Sequence, residues 1–121
     1  HASLLVSVTV TEEEFEQLVE DALDRIPDTF LDQLENVVFA VEADPPPGEG
    51  NLLGRYLGLP VTERGIYSGM LPDVISLYQR PLQRICATVE DLAEQVYVTL
   101  VHEIGHYFGL EDDELEALDW G

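Results

Sequence analysis

Two histidines four residues apart, His102 and His106, with Glu103 directly after the first, constrain this chain more than anything else in it. On an α-helix that spacing puts both imidazoles on one face, one turn apart, close enough to share a metal. Glu103 projects roughly 100° further round the helix. From there it reaches a water on the metal without being a ligand itself. His-Glu-x-x-His is the two-ligand-plus-base pattern of zinc hydrolysis. The chain has three histidines and His1 is terminal, so both internal imidazoles belong to the motif.

The residues after the motif extend it. Gly109 stands where a left-handed C′ residue ends a helix. Asp112 follows at the spacing of the third ligand in metzincins, where His is usual. It is therefore the candidate third ligand. Glu114 to Trp120 reads as a short helix with Asp113 as N-cap and Glu116 at N3. On these residues alone the reverse assignment, with Asp112 as the cap, stays open.

The helix that carries the motif is amphipathic in an informative way. Thr88 and Asp91 open it as a capping box. Val89, Leu92, Ala93, Val96 and Leu100 form one apolar stripe, and Tyr97, Val101, Ile104 and Phe108 another. Between them runs a polar strip: Asp91, Gln95, Thr99, His102, Glu103, His106. A helix apolar on two sides lies inside the fold, so the polar strip must face a cleft. Gly105 costs about 1 kcal/mol relative to Ala, which a close approach of another backbone would explain.

Upstream, residues 4–10 are apolar and β-branched and predict a short strand or a loose lead-in. Thr11 and Glu14 form a second capping box, with Glu12 to Glu14 suited to the positive end of the helix dipole. Phe15, Leu18, Val19, Ala22, Leu23 and Ile26 recur at helical spacing until Pro27 stops the helix. Residues 30–34 predict a turn or short helical piece. Residues 36–43 predict a strand buried on both faces. Asp44 to Gly50 is a Pro/Gly loop. Leu52 to Leu59 predicts a second strand, and residues 62–69 a polar loop. Asp73 to Gln79 predicts a third, alternating strand, and Pro81 marks it as an edge or a strand end. Leu82 to Cys86 is a short apolar piece that places Cys86 in a strand as a buried structural thiol.

A chain of 121 residues makes one domain. His1-Ala2-Ser3 reads as a remnant foreign to the native chain. A net charge of -20, with five Lys+Arg, excludes nucleic acid and anionic membrane as natural partners. It supports solubility and attracts cationic partners weakly. A single cysteine rules out an internal disulfide and fits a reducing compartment, the cytoplasm. No run approaches the ~20 apolar residues of a membrane span.

Taken together, Glu13-Phe15-Leu18-Val19, the segments Leu53-Gly54 through Thr62-Glu63-Arg64 and Tyr67-Ser68-Gly69-Leu71-Pro72-Asp73, and His102 through Leu110 resemble the small bacterial zincin-like metallopeptidases, or minimal zincins. The resemblance runs through nearly the whole chain after Val10 and is most specific in its last third. It implies an α+β fold: a short twisted sheet of three or four strands on the His-Glu-x-x-His helix, an N-terminal helix and a short C-terminal one. It also implies a zinc site of two His and one Asp with Glu as base. It supplies no substrate. Asp112 departs from the metzincin pattern, and Met70 precedes the motif, so no Met-turn follows it.

The reading is then a zinc metallopeptidase. His102, His106 and Asp112 hold Zn²⁺ with a fourth position open, and Glu103 moves the proton. Tyr67, Tyr78 and Tyr107 are candidate oxyanion donors, each also readable as a packing aromatic. The expected partner is a peptide or unfolded protein, laid by strand addition along an edge strand such as Asp73–Gln79. The protein is expected to be a monomer. The rival is a metal-binding structural or interaction module with little turnover, since a short chain lacks a protease's second lobe. A metal-free acidic interaction protein is a third class.

Overall fold

The computed structural model describes residues 7–58 and 72–110. Helix α1 (Glu12–Asp24) starts where its capping box predicts. Thr11 Oγ1 accepts the Glu14 N–H at 3.0 Å, and the Glu14 carboxylate takes the Thr11 N–H at 2.9 Å. Those bonds, the Thr11 backbone N–H first, hold the Glu14 carboxyl below its ordinary pKa. The box is therefore complete near neutrality, and its contribution is lost as pH falls through that lowered value. The helix closes at Asp24, two residues before Ile26 and three before Pro27. Phe15, Val19 and Ala22 are buried on its inner face.

A short helix α2 (Asp28–Leu31) leads to strand β1 (Val37–Glu42), then β2 (Gly54–Leu57) and β3 (Asp73–Tyr78). The strand order is β1-β3-β2. β1 runs parallel to β3, with Phe39 opposite Ile75, and β2 runs antiparallel to it, with Tyr56 opposite Ile75. Helix α3 (Gln79–Arg84) follows β3 directly, and helix α4 (Val89–Tyr107) carries the motif. Thr88 Oγ1 accepts the Asp91 N–H at 3.0 Å and so caps α4. The described helices and the small three-stranded mixed sheet make an α+β fold. α4 packs against α1 on one side and against β2 and β3 on the other. Phe15, Ile75, Leu77, Leu92, Val96, Leu100 and Ile104 form the heart of the core. No helix among the described residues is long and apolar enough to cross a membrane.

Three expectations are corrected. β1 is not buried on both faces: it is an outer strand, and Val38 is 47% exposed. Its other face, Val37, Phe39 and Val41, packs on the core. β3 is not an edge but the central strand, which explains its nearly continuous burial. Of the two readings of Pro81, an edge or a strand end, the second holds: β3 ends at Tyr78, and Pro81 lies beyond it, where it removes no ladder N–H. Pro81 instead stands in the first turn of α3, where an N–H has no intrahelical acceptor and its loss costs nothing. Cys86 accordingly follows a helix rather than lying in a strand. It is buried, and desolvation first, then the nearby Asp91 charge, raises its pKa, as for a structural thiol.

Residues 7–10 form the loose lead-in, held by Val8 N–H to the Cys86 carbonyl at 2.9 Å and Val10 N–H to Gln83 Oε1 at 3.0 Å. The loop between β1 and β2 is tied down by arginines. Arg80 meets Asp44 at 2.7 Å, Arg55 meets Glu49 at 3.5 Å, and Arg84 donates to the Gly50 carbonyl at 2.6 Å. These exposed contacts are individually weak. Together they set the path by which Leu52 and Leu53 enter β2.

Candidate metal centre and its cleft

The polar strip of α4 does face a cleft. Gln95, Val98, Thr99, His102, Glu103 and His106 form one wall of it, and Leu52, Leu53 and Gly54 the other. The space is about 310 Å³. Gly54 is what lets the two walls meet at the bottom. A Cβ there would stand 2.7 Å from Thr99 Cγ2 and 3.0 Å from the Ser76 carbonyl. Only a residue without a side chain allows β2 this close to the helix, one turn before His102.

The end of α4 aims one of the imidazoles. Gly109 adopts φ 81°, the left-handed conformation expected of a C′ glycine. Its N–H bonds the His106 carbonyl at 2.9 Å, and the Leu110 N–H bonds the Gly105 carbonyl at 2.9 Å. This pair of bonds is the Schellman motif. The turn brings the Leu110 carbonyl to 3.1 Å from His106 Nδ1. A carbonyl only accepts, so Nδ1 carries the proton, and Nε2 of the neutral ring carries the lone pair that a metal takes. Backbone carbonyls orient metal-binding histidines in this way. The sequence reading missed this bond, although the C′ glycine three residues after His106 was its signal.

Glu103 and His102 are half-buried on the same cleft. His102 lies one turn before His106 and one turn after Val98. Among the described residues, no group of three His, Cys, Asp or Glu side chains is placed to hold a metal. His102 and His106, the two candidate ligands among the described residues, share the cleft; the expected third, Asp112, and its competitor Asp113 lie outside the described residues. So do Tyr67, residues 62–69 and the expected helix at 114–120. Tyr78 and Tyr107 are buried and line no part of the cleft, so neither serves as an oxyanion donor there. Tyr107 Oη instead accepts the Glu35 N–H at 3.0 Å, and its ring meets Tyr56 and Phe108 edge-on. A pair of nitrogen ligands one turn apart, one ring oriented by a carbonyl, with a carboxylate beside them, is a donor set that suits zinc.

The family model described as zincin-like metallopeptidase matches residues 34–121, and the chain belongs to that family. Among solved structures it is similar to a conserved hypothetical protein from Thermo thermophilus. The two are 32% identical over 90% of this chain and 97% of that one, with a TM-score of 0.57. No curated protein matches the chain. α1 precedes the residues that the family model matches, yet it supplies one side of the core.

The oriented ring makes a specific prediction. Gly109→Ala should cost about 1–2 kcal/mol in a denaturant titration, because Ala resists the left-handed conformation. Gly48→Ala (φ 88°), in the loop before β2, should be strained similarly. Only the substitution at 109 should change the tautomer balance of His106, read from imidazole nitrogen shifts.

Proposed function

We propose that the protein is a zinc-dependent metallopeptidase, with His102, His106 and Asp112 holding the metal and Glu103 as the general base. The observation that carries this reading is the shared cleft, in which both histidines and Glu103 face β2 and the Leu110 carbonyl orients His106. Zinc bound there would supply Lewis acidity, lowering the pKa of a water and polarising a carbonyl. Glu103 takes the proton of the attacking water and returns it to the leaving amine. Glu103 is half-buried, and Leu52, Leu53 and Val98 give the otherwise polar cleft an apolar part. β2, an outer strand of the sheet among the described residues and on the cleft side, offers an extended peptide a line along which to lie.

The test is hydrolysis of a mixed peptide library by zinc-loaded protein, before and after chelation. Cleavage that chelation abolishes and added zinc restores is the expected result. Cleavage indifferent to chelation would count against the reading. The third ligand has its own prediction. Asp112→Ala should weaken zinc binding sharply, whereas Asp113→Ala should lose a helix cap, worth about 0.5–2 kcal/mol of stability. Exchanged phenotypes would make Asp113 the ligand.

A further inference from the structure

We infer that Gln95 and Thr99 form a main-chain subsite, hydrogen-bonding the backbone of an extended substrate on one side of the metal pair. The inference rests on the peptidase reading of the same cleft and adds the residues that hold the substrate in register there. Both side chains line the cleft. Thr99 is 6% exposed and Gln95 is half-buried. Among the described residues neither side chain has a hydrogen-bond partner. A buried hydroxyl without a partner costs a fold stability, and such groups are rare enough in native proteins that each needs a reason. Apolar residues at both positions would fill the same space without that cost. The two polar groups therefore point to a ligand, and the cleft that they line is where it lies.

The helix sets their spacing from the metal. Gln95 stands seven residues before His102 and Thr99 three, so both side chains leave α4 within roughly 60° of the His102 imidazole. By helical rise Thr99 is roughly 4.5 Å and Gln95 roughly 10.5 Å from His102 along the axis. An extended chain advances about 3.3 Å per residue. Thr99 is then level with about the first residue beyond the one at the metal, and Gln95 with about the third. A peptide laid along β2 turns alternate N–H and C=O groups toward that strand and the rest away from it. Those turned away face α4 and need partners inside the cleft. A carboxamide carries both a donor and an acceptor, and a hydroxyl serves as either. Gln95 and Thr99 thus match an amide group without reading the side chain beside it. The close approach of β2 holds Thr99 in place: a Cβ at Gly54 would stand 2.7 Å from Thr99 Cγ2.

Zinc-loaded protein is titrated with two series of hydroxamates carrying one to five alanines, the metal-binding group at the C-terminal end of the peptide in one and at the N-terminal end in the other. The hydroxamate anchors each ligand at the metal, and alanine leaves only the main chain to be recognised. In one of the two series affinity should rise by roughly threefold to tenfold, the worth of one hydrogen bond, when the second alanine is added and again at the fourth. Thr99→Val should remove the first gain and Gln95→Leu the second, whereas Gln17→Ala, on the exposed face of α1, should remove neither. Val keeps the shape of Thr, so Thr99→Val should leave the denaturation midpoint at or above that of the native protein; a hydroxyl kept for the fold alone would lower it. Affinity independent of length in both series, or gains that persist in both Thr99→Val and Gln95→Leu, overturns the inference and leaves the peptidase reading standing. Failure of every hydroxamate to bind zinc-loaded protein, or of the protein to take up zinc, overturns the reading beneath it as well.

Discussion

Glu103→Gln should cut peptide hydrolysis by about 10²–10⁴-fold, the usual worth of a positioned general base. Zinc affinity and the denaturation midpoint should stay close to those of the native protein. The amide has nearly the shape of the carboxylate and still accepts and donates hydrogen bonds, so the half-buried position on α4 tolerates it. It cannot take a proton from water at neutral pH. A metal-binding module that does no chemistry would show no such split, because nothing in it requires a base at 103. The comparison is made on kcat and zinc affinity together: turnover retained in Glu103→Gln would remove Glu103 from the mechanism.

The largest loss of stability is expected at Phe15. Its side chain is 0% exposed and sits on the face of α1 that meets α4. Truncation to Ala leaves a cavity between α1 and α4, and α4 is itself held by α3, β2 and β3. A Phe→Ala change in a core costs about 3–5 kcal/mol, against a total stability of about 5–15 kcal/mol for a domain. Gln17→Ala, on the exposed face of the same helix, should stay within about 0.5 kcal/mol. Urea titration of the two variants decides it. A Phe15→Ala loss no greater than that of Gln17→Ala would mean that α1 is an appendage to the matched family region, not a wall of its core.

The helical half of the molecule was legible from spacing. Thr11, Thr88 and Gly109 each bound a helix through a local hydrogen-bonding requirement, and local requirements survive folding. The polar strip of α4 was legible for the same reason: two apolar stripes on one helix leave only one direction for the residues between them. Sheet order was not legible, because nothing in a six-residue strand states which neighbours it will have. Pro81 pointed to an edge or a strand end, and only the second holds, since it stands beyond β3 in a position that makes no ladder bond. The run from Leu82 to Cys86 looked like a strand because a short apolar stretch has no period of its own. The orientation of His106 lay between these cases. Gly109 announced the turn, but which carbonyl would reach the ring depended on the turn's three-dimensional path.

The metal itself is the central claim, and a zinc titration tests it most directly. Protein stripped with a chelator is titrated with zinc against a competing indicator, alongside His102→Ala and His106→Ala. The expected result is one zinc per chain in the native protein. Each histidine variant should lose more than the 10–100-fold typical of partners that only orient a ligand. No zinc uptake by the native protein, or an unchanged affinity in His102→Ala, would contradict the account.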